Sequence, residues 1–587
     1  MTRRSRRRPR NDRRTRALLI IALAMTVLLP LLCVAGAITL WHAVSSTTRT
    51  AEGANAARVD IAPGTLVVAV SPEKANFFQE LVSQFNEQRL LATTGDRMRV
   101  ETVVMDPEAM IDAALRQARG DYRGQPIHAI HPDSSLWLDQ LDRSYEAALG
   151  NAVTDAFSIG LVGESFRYAV SPIVIAAWES VARELGWPDQ PVGWQEIQRK
   201  AQSDSTFKWN HASTSHASGL LATLAEFYAG AGKTRDLTEV DVRSPSTLEY
   251  VKAIEGTIRY YGEGETVIVQ RAAEEGRSFL DAFVIQEQML IQFNQAAPPE
   301  RLIALYPREG TLWADHPLAL LEKPEPTAAR RQTFRALQEF LLSDAVQQRV
   351  LSAGYRPADL TIPLTAAGSP FVAENGVDPT QPQTTLQIPG PAVVEVVRNV
   401  WWYTKRHTNV FLVVDTSGSM SGEKIEAVRD ALTLFVDQIK GDQERVGLID
   451  FSTQINNIVP LTELGQNREA IYERIAKLDA DGSTALLDAT YAAYARLRKL
   501  NDSERINAIV VMTDGRENAS SIDLDELVQE IERGNEQGPP IVIFAIAFGK
   551  DADYEVLEAI ARASGGQVRE GDLETIRTLY KVLSSYF

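Results

Sequence analysis

The sequence predicts an α/β protein of several folding units, and three observations lead there. Apolar runs of strand length alternate with helical patterns over 64–360 and again over 408–587, an order that builds parallel sheets. A stretch rich in Pro, Thr and Gln, without periodicity, separates the two alternations. At 587 residues the chain is too long for one core.

Composition narrows the chemistry. The hydrophobic fraction of 44% suits a globular protein, not a disordered one. Net charge is −17 although residues 1–16 hold nine Arg against one Asp, so the bulk is strongly acidic and no nucleic acid is expected as a partner. Cys33 is the sole cysteine, which rules out an internal disulfide and a multi-thiolate metal site. Any metal must be held by oxygens or histidines.

Residues 1–16 read as a basic cytoplasmic tail, and 17–42 as a transmembrane signal anchor. That run is nearly uncharged and long enough to cross a bilayer with some tilt. The arginines before it place the N-terminus in the cytoplasm and the bulk of the chain outside, as a single-pass protein of the cell membrane. A cleaved signal peptide is the alternative, although Trp41 spoils the nearest small-residue cleavage site. Residues 43–63, small and polar, read as a linker.

The alternation over 64–360 opens with strands at 65–70, 97–105 and 126–131. Between them run helices carrying Phe77, Phe78, Leu81, Val82 and Phe85 on one face, and from Pro107 to Gln117. A third helix starts at Ser134 or Ser135. This βαβαβ order predicts a parallel sheet. Leu66–Val67–Val68–Ala69–Val70–Ser71–Pro72, Ser134–Ser135–Leu136–Trp137 and Ser171–Pro172–Ile173–Val174–Ile175–Ala176 give the region its signature. So do Arg183–Glu184–Leu185–Gly186–Trp187–Pro188, Tyr306–Pro307–Arg308–Glu309–Gly310–Thr311 and Gly354–Tyr355–Arg356–Pro357. On these residues 64–360 resembles a two-lobed bacterial extracellular solute-binding protein, of the kind that feeds transporters. The resemblance implies a cleft between lobes, with ligand held by helix N-termini.

Three stretches supply such starts: Ser71; Ser134 and Ser135; and the run holding Ser213, Thr214, Ser215 and Ser218, which leads into an apolar helix. Free N–H groups and the positive helix end favour a small anionic solute there. Plain N-capping is the ordinary alternative for each serine. Lys74 and Arg308 either add charge to the cleft or are solvated surface residues.

Residues 361–407 read as a linker, flexible enough over 361–389 to leave the domains independent, followed by a helix over 391–403 packed on one of its neighbours. From 408 to 587 strands are expected at 409–415, 446–452, 507–514 and 540–548, with shorter ones near 456–462 and 567–570 and helices between them. The result is a doubly wound, Rossmann-like domain with helices on both faces.

In such a sheet, ligands bind beyond the carboxyl ends of the strands. Asp415 ends the first strand, with Ser417 and Ser419 after it. Thr484 lies 69 residues and Asp514 99 residues beyond Asp415, each at a strand end or helix start. Two carboxylates and three hydroxyls form an all-oxygen site suited to a hard divalent cation. In order and type they resemble the metal-ion-dependent adhesion site of the von Willebrand factor A domain. By that resemblance Ser417, Ser419 and Thr484 ligate Mg²⁺ (or Mn²⁺ or Ca²⁺) through hydroxyl oxygen, and Asp415 and Asp514 act directly or through water. The bound ion then accepts a carboxylate from a protein partner.

The expected function is therefore that of a membrane-anchored extracytoplasmic protein, gripping a protein partner through its cation and coupled to a solute-binding module. A tethered receptor for a solute, associated with a transporter, is the alternative. A metal-dependent hydrolase is a second one, and no enzyme activity is expected. Aspartyl-phosphate chemistry needs a second acid where Ser417 stands, the domain has no histidine past His407, and it holds neither a Lys-Ser/Thr phosphate loop nor a Gly-x-Ser-x-Gly elbow.

Overall fold

A computed structural model of the chain describes residues 61–587 apart from 123, 150–159, 263, 574, 585 and 587. The basic tail, the expected anchor over 17–42 and nearly all of the juxtamembrane linker lie outside the described residues. Among the described residues no helix is long and apolar enough to cross a membrane.

The first lobe is built on β1 (Thr65–Val70), β2 (Arg99–Val104), β3 (Ala129–His131) and β4 (Val162–Arg167). The second holds β5 (Ala169–Trp178), β6 (Trp209–Asn210), β7 (Ala282–Gln286), β8 (Leu302–Leu305) and β9 (Trp313–Ala314). The chain returns to the first lobe as β10 (Pro317–Leu321) and ends in the second as β11 (Arg356–Pro357). Sheet order in the first lobe is β2-β1-β3-β10-β4. β1 pairs in parallel with β2 and β3, as the βαβαβ pattern predicts, but β10 is antiparallel to β3 and β4. The sheet is therefore mixed, because β10, the one strand that returns from the second lobe, enters it from the opposite end. Val70 is level with Val104 and His131. That register gathers Ser71, Lys74 and Asp133 at one carboxyl edge, facing the chain crossings at Tyr168, His316 and Tyr355.

The stretch 361–389 is not a free linker. Leu386 N–H donates to Thr311 O at 2.9 Å, Gln387 N–H to Thr234 O at 3.0 Å and Ala304 N–H to Gly376 O at 2.8 Å, which strap the segment to the second lobe. The helix Pro391–Thr404 buries Val394, Val397, Val400 and Trp401. It packs on the helices Pro245–Glu255 and Ala217–Ala231 of the second lobe and touches Leu136–Leu149 of the first.

The C-terminal domain is one sheet of β12 (Thr408–Asp415), β13 (Arg445–Phe451), β14 (Ile455–Glu463), β15 (Ile506–Thr513), β16 (Ile541–Phe548) and β17 (Gln567–Gly571). Its order is β14-β13-β12-β15-β16-β17, parallel throughout except for the antiparallel edge strand β14. Alternate residues of the central strands feed separate cores: Val410, Leu412, Val510 and Met512 pack on one face, Phe411, Val413, Ile509 and Val511 on the other. Strands apolar on both faces are what a sheet covered by helices on both sides requires.

The junction is tightly built. Lys405 Nζ meets Glu444 Oε1 at 3.0 Å with both side chains fully buried, and Thr408 N–H and Oγ1 each donate to Glu444 Oε2 at 2.6 Å. Despite its burial, Lys405 with His407 and Thr408 holds the Glu444 carboxyl down at about 2. Burial pushes Lys405 down, against its pairing, but Glu444 collects several donors and sets the ionised state of the pair. Arg406 donates to Ile258 O and Ser503 O, both at 2.7 Å, bridging the second lobe and the C-terminal domain. Tyr260 stacks on Tyr586 with ring centroids 5.9 Å apart. The two domains therefore share a packed interface, contrary to the independence that the Pro-rich stretch suggests.

Candidate functional site

β12 delivers Asp415 to the carboxyl edge of the sheet, fully buried. Ser417 N–H donates to Asp415 Oδ1 at 2.7 Å, and the Thr513 hydroxyl donates to Oδ2. These contacts fix the carboxylate, while burial pushes it above the usual range. Ser417 Oγ lies 3.0 Å from Ser419 Oγ, and Ser419 Oγ donates to Asp514 Oδ1 at 2.6 Å. Thr484 joins from the loop before the helix Leu486–Leu500. Its backbone N–H donates to Asn518 Oδ1 at 2.9 Å, and Gly418 N–H donates to Gly482 O at 3.0 Å. Gly482 adopts φ +86, a conformation most side chains avoid, and the turn it makes brings this loop over the strand ends.

All five residues expected from the sequence are thus brought to one edge. Ser417, Ser419, Thr484 and Asp514 line an open cavity of about 490 Å³, joined by Asn518 and Asp551. The site fits a hard cation on its donor set and on its shape. A Cβ on Gly515 would stand 3.1 Å from Thr484 Oγ1 and 3.5 Å from Ser419 Oγ, so two hydroxyls converge over a residue without a side chain. One contact was not foreseen: the Lys424 ammonium binds Asp514 Oδ2. It supplies positive charge beside the carboxylate, and its position in the helix Glu423–Gln438 reads from sequence as ordinary surface.

The cleft residues divide differently. Ser71 is fully buried, caps its short helix without a side-chain bond, and its Oγ has no partner. Ser134 is buried next to Asp133, but the N–H of Ser135 is taken by Asp315 Oδ1 at 2.7 Å. Ser213, Thr214 and Ser215 form the loop before the helix Ala217–Ala231, where Ser215 Oγ donates to Ser213 Oγ at 3.1 Å and Thr214 O accepts from Arg398 at 3.4 Å. Ser218 is fully buried one turn on.

What dominates the buried meeting of the lobes is charge that the sequence alone does not place there. Lys74, far from solvated, is 2% exposed and donates to Asp133 Oδ1 at 2.7 Å and Pro132 O at 2.6 Å, with His316 Nδ1 at 3.2 Å. Against burial, Lys74 and His316 hold Asp133 well below the carboxylate range, and burial pushes Lys74 and His316 down. From the second lobe, Glu265 receives Gln286 N–H at 2.6 Å and Gln286 Nε2 at 2.9 Å, and burial raises it to about 7. Glu73 is pushed up by burial and then by Asp133 and Glu265. A Cβ on Gly264 would stand 2.8 Å from Glu73 Oε1, so the lobes approach closely at this glycine. Burial thus favours the neutral form of Glu73 and Glu265, while Asp133 is paired with Lys74. Of the three helix starts expected to hold a solute, the one at Ser135 is occupied by a carboxylate of the chain itself. Arg308 stands outside this group, paired with Glu196 at 3.1 Å.

Residues 409–581 match the von Willebrand factor type A domain, and 66–356 match the bacterial extracellular solute-binding proteins. The chain therefore carries a solute-binding protein region of an extracellular family, followed by a von Willebrand factor A domain at its C-terminus. Human inter-alpha-trypsin inhibitor heavy chain H4 is 31% identical over 173 residues, which cover 27% of this chain and 18% of that protein. The chain thus spans less than a fifth of the length of these curated relatives. Among solved structures, a von Willebrand factor type A protein from Catenulispora acidiphila is 22% identical over 31% of this chain and 43% of its own, with a TM-score of 0.27. The periplasmic binding protein P5PA is 9% identical, covers 58% of this chain and 99% of its own, and has a TM-score of 0.38.

Proposed function

We propose that this chain is an extracytoplasmic recognition protein, held at the membrane by the segment 17–42, whose C-terminal domain grips a protein partner through a divalent cation. One observation carries the reading: the convergence of Ser417, Ser419, Thr484 and Asp514 on one open cavity at the sheet edge, with Asp415 fixed behind them. Mg²⁺ or Mn²⁺ would be held by the three hydroxyls and two carboxylates, and its charge supplies an open coordination position for a partner's acidic side chain. The chain's own residues orient that site: Thr513 and Ser417 fix Asp415, and Ser419 fixes Asp514. We propose binding without catalysis, because the position two residues after Asp415 holds Ser417 and no histidine lies beyond His407 in the domain.

A second reading rests on the buried polar cleft. The solute-binding region takes a small polar solute where Glu73, Asp133 and Glu265 meet Lys74, and reports it to the C-terminal domain through the packed junction at Lys405 and Glu444. The two readings are compatible, since the domains are packed together.

A pull-down with the purified chain from extracytoplasmic extract, in Mg²⁺ and in chelator, tests the first reading. A partner retained only with Mg²⁺, and lost with Asp415→Ala, supports it; identical retention in all arms refutes it. Thermal-shift screening with amines and oxyanions tests the second, with stabilisation by members of one class expected and stabilisation by neither contradicting it.

A further inference from the structure

In the core of the second lobe three metal-ligating side chains meet. His211 follows β6, Glu226 lies in the helix Ala217–Ala231, and Glu255 ends the helix Pro245–Glu255. All three are fully buried, and one ligand atom from each lies within 4.8 Å of the others.

Their hydrogen bonding is informative because it is incomplete. His211 Nδ1 stands 2.6 Å from Ala212 O, a carbonyl that can only accept, so Nδ1 carries the proton and Nε2 turns its lone pair inward. Nε2 is 3.5 Å from Glu255 Oε1 and 3.9 Å from Glu226 Oε1, beyond the reach of a charge-assisted hydrogen bond. Neither His211 Nε2 nor either oxygen of Glu226 has a hydrogen-bond partner. Glu255 is differently placed: Tyr261 Oη donates to its Oε2 at 2.6 Å and Trp401 Nε1 to its Oε1 at 2.8 Å. A lone pair and two carboxylates that face one another in a dry core, with donors supplied only to Glu255, repel unless a cation or a shared proton sits among them.

We propose that His211, Glu226 and Glu255 form a buried structural site for one divalent transition ion, with Zn²⁺ the best match and Mn²⁺ or Fe²⁺ of the same class. Metal–nitrogen and metal–oxygen bonds of about 2.1 Å in a tetrahedron put neighbouring ligand atoms about 3.4 Å apart. The observed separations of 3.5 and 3.9 Å approach that spacing. One imidazole and two carboxylates balance the ion's charge and suit borderline and hard divalent ions over soft ones. The surrounding contacts are those of an outer shell: Ala212 O fixes the imidazole tautomer, and Tyr261 and Trp401 orient Glu255. Both outer donors lead to the junction. Trp401 belongs to the helix entering the C-terminal domain, and Tyr261 Oη accepts the N–H of Arg406 at 2.9 Å. The ion therefore ties the second lobe to the segment that precedes β12.

The site is sealed, so it loads during folding and exchanges slowly. The full chain is refolded from denaturant with Zn²⁺, dialysed against metal-free buffer and assayed for metal by mass spectrometry. This is done for the native sequence, Asp415→Ala, Glu226→Gln and the double variant. Asp415→Ala should retain about one equivalent of zinc, and Glu226→Gln added to it should release that equivalent. Refolding Asp415→Ala with Co²⁺ should give the visible absorption of a low-symmetry nitrogen and oxygen site. If Asp415→Ala keeps no metal, or keeps it equally with Glu226→Gln present, the proposal is overturned, and a proton shared by the two carboxyls holds the cluster instead. The first of these readings does not depend on the folding of a Glu226 variant.

Discussion

Ser419 Oγ donates to Asp514 Oδ1 at 2.6 Å, across 95 residues of sequence. That bond closes the proposed cation site, because it binds the loop after β12 to the loop after β15 and sets a hydroxyl and a carboxylate side by side. It also shows what the neighbouring glycine is for. A methyl group on Gly515 would press on Thr484 Oγ1 at 3.1 Å and touch Ser419 Oγ at 3.5 Å, both of them proposed ligand positions. Gly515→Ala is expected to weaken Mn²⁺ binding by about tenfold, or ~1.4 kcal/mol, with the thermal midpoint little changed. Calorimetric titration checks this, and unaltered affinity would contradict the crowding.

Lys424 presents its ammonium to Asp514 Oδ2, where it competes with a bound cation for the same carboxylate. Its side chain is 33% exposed, so solvent and salt screen the effect. Lys424→Met should tighten divalent binding several-fold at low ionic strength, and the gain should shrink as salt is raised. Weaker binding in the variant would show instead that the lysine chiefly orients Asp514.

The Lys405–Glu444 pair gives the junction a defined pH dependence. Glu444 titrates at about 2 in the folded chain against 4.5 for a free glutamate. Its contribution is therefore complete above pH 4.5 and is lost as pH falls from there towards 2. The lost stability is on the order of 1–3 kcal/mol. The thermal midpoint of the native chain should fall through this window, and that of Glu444→Gln should start lower and fall less. Parallel curves would contradict the assignment.

Trp401 is the anchor of the interdomain helix, 2% exposed, with its indole N–H on Glu255. Trp401→Ala removes a large buried ring and leaves that carboxylate without one of its donors. The expected cost is about 3–5 kcal/mol, seen as a lower denaturant midpoint for the unit that contains the second lobe. Trp401→Phe, which keeps most of the ring's packing, should recover most of it; no recovery would mean that the hydrogen bond dominates over the packing.

Local patterns carried the sheet elements and the residues of the candidate cation site into view from sequence. β1 spans the residues its apolar run marks, and the strands of the C-terminal domain fall within a residue or so of their expected ends, because periodicity and turn residues are local signals. Asp415, Thr484 and Asp514 were legible because each closes a strand or opens a helix in a fixed order. Pairings over long separations left no such trace. Lys74 reads as a solvated residue until Asp133 and His316, 59 and 242 residues away, are folded over it. Asp315 on the N–H of Ser135 was hidden for the same reason. Proline made 361–389 resemble a linker, since it erases periodicity whether or not the irregular backbone is pinned to a neighbour. His211, Glu226 and Glu255 lie on three separate elements with no motif spacing between them.

The central claim is that Asp415, Ser417, Ser419, Thr484 and Asp514 hold one exchangeable divalent cation. Titration of Mg²⁺ or Mn²⁺ into the full chain by calorimetry tests it most directly, beside Asp415→Ala and Thr484→Ala variants whose folding is verified by circular dichroism. One exchangeable site in the native chain, absent from both folded variants, is the expected result; unchanged binding in either variant would contradict the assignment.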